Sequence, residues 1–550
     1  MDTQSVKRRI DDDDCSAIIT DRLSQLPQPI LHNNILSLIS QKDAVQTSVL
    51  SKSWRYLWHG RLNVEFRDHW FTRKYKFWSL TDKNLQKYLD GKNEFWSFID
   101  KTLQRYLDQN LSLQKFIFDM FNYEVDFVLL KKWISMAIMN MGVKSLELHF
   151  HNSTEGKDFP LPLVVFQSEF LVELVIHYCD LSTLKSTDNV MLNNLRTLRL
   201  HNSYITDEVV EKIISGCPLI ENFNLLYCCG LKSIKLPKHC NIKNFAYLTF
   251  DEIIIETENA QILEKVCIRN CRDWFLCHRN TYFPHLKSLI LHYVQLPETL
   301  DNFSSFFPCL NELVLDSCHG LKEFRLLSSS IKRLTIDSGL RNRIKAFIDT
   351  PNIRYFEYSG HGFLPSIKFT ATSNKWKSQI TLWSKLEHSD NDDDATSWFL
   401  KLNKLLRVLS TQSHITLSLD PYEYKKLHIN DSYGGFYEPV IVEHLTLREC
   451  CFSYFDPAIL NCFFRIFRPC YIQFDSGRAR YNLAGYITRL IPDETGRNFW
   501  LQDLEEISTE VGNMGANEWH CVKGTSYPTL SSQQRIRFRL TWKEQLSKFT

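Results

Sequence analysis

The side chains in this 550-residue sequence with the means to do chemistry are its 16 cysteines, its 18 histidines and one dense acidic run. Thiolates and imidazoles at short spacing make a zinc site, and Cys228 with Cys229, or Cys271 with Cys277, are the nearest pairs on offer. No C-x-x-C occurs. The run HSDNDDD, His388 to Asp394, supplies the oxygen ligands that calcium takes, but it lacks the glycine and the terminal glutamate of an EF-hand loop. The spacings G-x-S-x-G, H-E-x-x-H, G-x-x-x-x-G-K-[ST] and G-x-G-x-x-G, each of which encodes a defined catalytic or phosphate-binding geometry, are absent. His177, His201 and His292 fall in repetitive strand-like text, where a satisfied or surface histidine is the default over a general base. No residue is assigned to catalysis, and neither a metal nor a cofactor is expected.

The cysteines make sense once the elements that carry them are found. The template L-x-x-L-x-L, with apolar residues standing in for leucine, starts at Val143, Leu171, Leu195, Ile220, Ile242, Leu263, Leu286, Leu310, Ile331 and Ile353. Successive starts are about 21 to 28 residues apart, inside the range of leucine-rich repeats. Cys179, Cys228, Cys271 and Cys318 stand three residues after the last leucine position, where a thiol or polar group satisfies backbone as the chain leaves its strand. Repeat chemistry therefore accounts for them better than zinc.

The fold class expected is α/β: a solenoid of short parallel strands with irregular or helical returns, its leucine ladder forming the core. TDEVVEKIISGCP, residues 206–218, reads as one helical return, capped at Thr206 or Asp207 and ended by Gly216 and Pro218. Further copies of the template at Leu231 and Leu321 follow a predecessor too closely to leave room for a return helix and are expected to be irregular turns of the solenoid.

Lys and Arg total 65 against 63 for Asp and Glu, so no basic field is available to hold nucleic acid. No signal-peptide core and no membrane-length apolar run is present, so a soluble protein of the nucleus or cytoplasm is expected, with free thiols. Residues 1–17, with Asp11 to Asp14 beside Lys7, Arg8 and Arg9, read as a polar tail.

Ahead of the repeats, apolar residues recur at helical spacing: Ile30 and Leu31, then Ile35, Leu36, Leu38 and Ile39, with Pro27 and Pro29 at the opening. Asp43 stands where an N-cap belongs, and Val45, Val49, Leu50, Trp54, Leu57 and Trp58 follow at three- and four-residue steps, predicting a second amphipathic helix. Such helices could serve only to cover the first repeat.

Leu26-Pro27, the run ILSLIS and then KDAVQTSVLSKSWRYLW closely resemble the F-box of plant F-box/leucine-rich-repeat proteins. CPLIENFNLLYCCGLKSIKL, FPHLKSLIL, FPCLNELVLDSCHGLKEFRL and IDTPNIRYFEYSG resemble repeats of the same family, so the resemblance covers most of residues 18–360. It implies a substrate receptor of a Skp–cullin–F-box ubiquitin ligase, with the F-box docked on the Skp-type adaptor, a cullin reached through it, and the repeats holding an unidentified target protein. From the charge balance and the missing apolar run, no nucleic acid or membrane partner is expected. Carried over by position, Leu26, Pro27, Ile30, Leu31, Leu36, Leu38, Val45, Val49, Leu50 and Trp54 would divide between the adaptor face and internal packing. Between Pro27 and Lys42 the chain runs one residue longer than the family spacing, around Asn33-Asn34, and a bulge or loop must absorb it because one residue turns a helix by about 100°. Without a ligase, the same chain would be a repeat scaffold whose first helices only cap it.

Candidate target-recognition positions are the strand side chains expected to point away from the leucine ladder: Arg199, His201, Asn224, Arg269, His292, Glu312, Asp316, Arg333 and Tyr355. The plan along the chain is a tail at 1–17, F-box-like helices at 18–60, a connecting or capping region at 61–140, the solenoid at 141–450 with an interruption at about 361–440, and a C-terminal region at 451–550 without an assigned fold. Within it, WFLKLNKLLRVLS reads as a helix after the acidic loop, VEHLTLREC as a late repeat with Cys450 in register, CFFRIFRPC as a helix and its exit, and RIRFRLTW as a strand.

Overall fold

A computed structural model describes residues 25–27, 30–39, 41–49, 54, 60–69, 82–120, 126–151, 159–185, 187–237, 240–256, 261–271, 282–300, 303–339, 345–361, 364, 366–370, 376–383, 393–409, 413–418, 438–448, 463–474, 499–513, 518–522 and 534–543. The chain divides into two units, Met1–Tyr178 and Cys179–Thr550.

In the first unit four strands, β1 (Asn63–Arg67), β2 (Lys115–Met120), β3 (Ser145–Phe150) and β4 (Glu173–His177), pair in parallel in that order. The parallel ladder thus already runs at residue 63, inside the stretch expected to connect or cap. Parallel neighbours require long crossovers, and two helices supply them: α1 (Asp82–Asp108) between β1 and β2, and α2 (Phe127–Met141) between β2 and β3. Asp126 caps α2, its carboxylate accepting from the amides of Val128 and Leu129, and Gly142 ends it in the left-handed conformation. The two helices meet through Trp96 and Trp133, whose ring centroids are 5.1 Å apart, and the Trp133 indole N–H donates to Asp100 at 3.1 Å. Trp96 and Trp133, with Phe118 of β2 stacked on Trp96, are therefore part of the filling between helices and ladder.

The second unit continues the same grammar. Strands β5 (Thr197–His201), β6 (Asn222–Leu226), β7 (Asn244–Leu248), β8 (Lys265–Arg269), β9 (Ser288–His292), β10 (Glu312–Asp316), β11 (Arg333–Asp337) and β12 (Tyr355–His361) pair in parallel, each with the next. Their second and fourth residues are buried and the first, third and fifth face outward, as period-two alternation dictates. Helix α3 (Asp207–Gly216) occupies the expected return, with Thr206 at its N-cap position. The Asp207 carboxylate instead accepts from the amides of Lys232 and Ser233.

Two expectations are corrected. The extra template copies at Leu231 and Leu321 are not irregular turns, because they lead into a second set of parallel strands on the return legs. Ser233–Lys235 pairs with Ile254–Glu256, and Thr299–Leu300, Glu323–Leu327, Lys345–Asp349 and Ser366–Thr370 form a four-stranded ladder. Nor does the main ladder break at about 361–440. Strands β13 (Lys377–Trp383), β14 (Ser413–Ser418), β15 (Val440–Arg448) and β16 (Phe467–Phe474) pair in parallel, in sequence, after β12. Helix α4 (Asp393–Val408) fills the return between β13 and β14, so Asp393 and Asp394 of the acidic run open a helix. Its buried Asn403 donates to the carbonyl of Ile466 at 2.8 Å.

In the segment CFFRIFRPC, expected as a helix and its exit, Phe463 and Phe464 are helical and Phe467–Cys470 belong to strand β16. Pairing then turns antiparallel: β17 (Leu504–Asn513), β18 (Trp519–Val522) and β19 (Gln534–Trp542) form a sheet in which β19 lies between β16 and β17. Arg537 is held there between the rings of Tyr471 and Trp519, at 4.2 Å from each, with its Nε 2.6 Å from Glu510. A ladder must cover its last edge, and this antiparallel sheet does so. Among the described residues no helix is long and apolar enough to cross a membrane.

Candidate adaptor and target surfaces

The N-terminal segment is organised by one irregularity. Leu31–Leu36 is a π-helix, followed by the α-helix Gln41–Gln46 and a 3-10 turn at Thr47–Val49. Five residues of an α-helix rotate the chain about 140° beyond a full turn, which would put Leu31 and Leu36 on different faces. The wider π turn, closed by i to i+5 bonds, brings them nearly into line. Leu31, Leu36, Ala44 and Trp54 form a buried cluster, against which Leu26, Ile35 and Ile39 pack. This turn spans Asn33-Asn34, where the excess over the family spacing is expected. Removing Asn34 is accordingly expected to restore an α-helical turn and, if the segment docks on a Skp-type adaptor as the resemblance implies, to leave that affinity within about threefold of the parent, measured by titration; a loss of binding would show that the π turn itself is required.

Once Leu31, Leu36 and Trp54 are committed inward, the remaining apolar side chains define an outward set. Leu38 is 83% exposed, Val49 85% and Ile30 41%, and Pro27 is exposed beside them. Val45 lies in the Gln41–Gln46 helix, with its side chain outside the described residues, as is the whole of Leu50. Asp43 is inside the first turn of that helix instead of at its cap. Within the first unit the segment is tied to the ladder by Arg61, which donates to the Ile39 carbonyl at 2.5 Å and whose own carbonyl accepts from the Tyr106 hydroxyl at 2.6 Å.

In the second unit the outward positions divide by row. Arg199 and Asn224 occupy third positions and are register partners. Glu312, Arg333 and Tyr355 occupy first positions on successive strands, where Arg333 lies 4.6 Å from the Tyr355 ring and 3.6 Å from Glu312. His201, Arg269, His292 and Asp316 occupy fifth positions, toward the rim where the strands end.

That rim has a recurring backbone device. Asn202, Tyr227, Asn270, Tyr293 and Ser317, each the residue after a strand, have φ between 47° and 55°. Their amides donate to the last residue of the next strand: Asn202 to Leu226, Asn270 to His292, Tyr293 to Asp316 and Ser317 to Asp337. For a tyrosine this conformation costs on the order of 1 kcal/mol or more, and the added ladder bond offsets it. The predicted cysteine column follows directly. Cys179, Cys228, Cys271 and Cys318 are all buried, and the Cys228 and Cys318 thiols donate to the carbonyls of Leu200 and Leu291. Burial pushes both thiols up to about 12, so they remain protonated hydrogen-bond donors.

His292 Nδ1 lies 2.6 Å from Asp316 Oδ2. The Asp316 carboxylate, with the Cys267 thiol second, raises His292 to about 9 against the opposing effect of burial, and the His292 imidazolium in turn holds Asp316 below the usual carboxylate range. A folded value above the ordinary 6.5 means that His292 contributes stability fully present below pH 6.5 and lost as pH rises through about 9. In Asp316→Asn the imidazole titration, followed by NMR, is expected to fall toward the ordinary histidine range and the loss of stability above neutrality to disappear; an unmoved titration would remove Asp316 as the cause.

Strand alternation did not disclose the aromatic residues of this rim, because they sit in the turns. Tyr227, Phe250 and Tyr293 are exposed, and Phe250 most of all, at 72%. Their signal in the sequence was a tyrosine directly before the cysteine position or its equivalent, as in Tyr227-Cys228 and Tyr293-Val294.

Residues 130–275 match the family model described as "FBD-associated F-box protein At5g56370, LRR repeats". The chain is 32% identical over 215 residues to an Arabidopsis thaliana protein named F-box/LRR-repeat protein At3g59200, covering 38% of this chain and 36% of that protein. It is 26% identical over 299 residues to the putative F-box/LRR-repeat protein At3g18150 of the same plant (54% and 53% covered), and 29% identical over 232 residues to F-box/FBD/LRR-repeat protein At1g13570 (42% and 49%). The chain thus spans between about a third and a half of the length of these curated relatives.

Proposed function

Taking the chain as the plant F-box/leucine-rich-repeat protein that its repeats and relatives show it to be, we propose that it is a substrate-recognition adaptor of a Skp–cullin–F-box ubiquitin ligase. The N-terminal segment docks on the Skp-type adaptor and through it on a cullin, while the repeat surface holds a target protein, in the nucleus or cytoplasm. The work is done by proximity: the chain raises the local concentration of target near the ubiquitin-loaded enzyme and makes no bond itself.

The observation that supports this reading best is the outward apolar set Pro27, Ile30, Leu38 and Val49 around an otherwise closed helical cluster. Helices that only cap a solenoid need bury one face and can be polar on the other. Here large apolar groups remain on the side away from the cluster, as helix-in-groove docking requires. Co-expression with a Skp-type adaptor is expected to yield a stoichiometric complex, lost when the outward Pro27 and Ile30 are replaced by aspartate. No complex with the folded parent chain would favour the alternative, a repeat scaffold without a ligase.

A further inference from the structure

The outward face of β7 to β10 has an apolar floor. Its third positions are Ala246, Cys267, Ile290 and Val314, consecutive in register and each half-buried. Along the rim at the strand ends, the guanidinium of Arg269 lies between two aromatic rings, 5.3 Å from Phe250 and 5.1 Å from Tyr293, and its buried Nε has no hydrogen-bond partner among the described residues. The Phe250 and Tyr227 rings are in contact, with centroids 5.4 Å apart.

The arrangement is built. In the turn after β7 the left-handed residue found in neighbouring repeats is missing, and the side-chain amide of Asn270 donates to the carbonyls of both Thr249 and Phe250 at 3.0 Å. This holds Phe250 outward, over Arg269. Exposed tyrosine and phenylalanine with a half-buried arginine around an apolar floor are the composition of the energetic centre of a protein interface.

Resting on the reading that the repeat surface holds a target protein, we infer that Tyr227, Phe250, Arg269 and Tyr293 with the floor beneath them are the docking site for an extended peptide segment carrying a carboxylate beside apolar side chains. Charge selects this occupant. At the fifth positions, Arg269 and His292 of β8 and β9 are followed by Asp316 and Asp337 of β10 and β11, so the rim passes from positive to negative over about 15 Å at the spacing of adjacent strands. A nucleic acid strand needs a continuous row of cations along its phosphates and would meet these two carboxylates. A single acidic side chain fits Arg269, whose planar fork, stacked between rings, is already oriented for bidentate contact. Its apolar neighbours fit the floor.

A random-peptide phage library panned on the full-length chain tests this. Enriched peptides are expected to carry Asp or Glu next to an aromatic or aliphatic residue. A synthetic copy should bind about 30-fold more weakly when its acid is changed to the amide or the protein carries Arg269→Ala, and about tenfold more weakly with Phe250→Ala. Arg269→Lys, which keeps the charge and loses the planar stack, should recover only part of the affinity, and all three proteins should melt with the parent. Enriched peptides without a carboxylate, no enrichment at all, binding indifferent to Arg269→Ala, or displacement of the peptide by a single-stranded oligonucleotide would each overturn the inference. Skp-type adaptor binding, measured on the same proteins, separates the two readings: its loss with peptide capture intact counts against the ligase, and the reverse counts against this site alone.

Discussion

Leu38→Glu combined with Val49→Glu is expected to weaken binding of a Skp-type adaptor by at least about 100-fold while leaving the melting temperature of the chain unchanged. Both side chains are more than four-fifths exposed, so a carboxylate at either place costs the free protein little, within about 0.5 kcal/mol. In an apolar interface the same two carboxylates lose their water without gaining partners, and the combined penalty far exceeds what a tenfold loss of affinity requires. Leu36→Glu provides the contrast. Leu36 is fully buried in the helical cluster, so that variant should lose structure and binding together. Calorimetric titration beside a melting curve distinguishes the cases, and equal affinity of the double variant and its parent would remove Leu38 and Val49 from the docking face.

Trp133→Ala is the second substitution with a large expected effect, this time on stability. Trp133 is 1% exposed, touches Trp96, and donates its indole N–H to Asp100. Truncation empties the space between α1 and α2, which are the crossovers that let β1, β2 and β3 pair in parallel. The cost is expected to be about 3 to 5 kcal/mol, seen as a lower denaturant midpoint and as faster amide exchange over residues 91–108 and 127–141. Unchanged exchange in both helices would show that the ladder of the first unit does not depend on them. Trp133→Phe, which keeps most of the ring and loses the bond to Asp100, should fall between.

What could be read from the sequence follows from how each element keeps its period. From β3 to β12 two buried residues alternate with outward ones at nearly even steps, and neighbouring repeats state the pattern over and over. The ladder beyond was hidden by spacing. Ile380-Thr381-Leu382, Ile415-Thr416-Leu417 and Leu445-Thr446-Leu447 are the same strand core, but α4 and the return that follows β14 lengthen the steps between them past the usual range of the repeat. Thr381, Thr416 and Thr446 are buried as well, which blurs the apolar–polar alternation. On the return legs Ser233–Lys235, Ile254–Glu256 and Thr299–Leu300 are too short to show a period, whereas Glu323–Leu327 and Lys345–Asp349 do alternate.

The two candidate surfaces differ in the same way. At the N-terminus the proposed docking residues could be named as a set through their resemblance, yet not by face, since a rotation of about 100° for one extra residue depends on where the helix absorbs it. The π turn at Leu31–Leu36 answers that. On the repeats, Arg269, His292 and Asp316 were legible as outward strand positions. Phe250 was not, because its exposure depends on a turn that lacks the left-handed residue and on the side chain of Asn270, one repeat further on.

The most direct measurement for the account is a hydrogen-exchange footprint of the full-length chain with and without a purified Skp-type adaptor. Slowed exchange confined to the segment from Leu26 to Trp54, with the repeat strands β5 to β12 unchanged, is the predicted result. No protection in that segment at saturating adaptor, or protection on the repeat strands in its place, would contradict it.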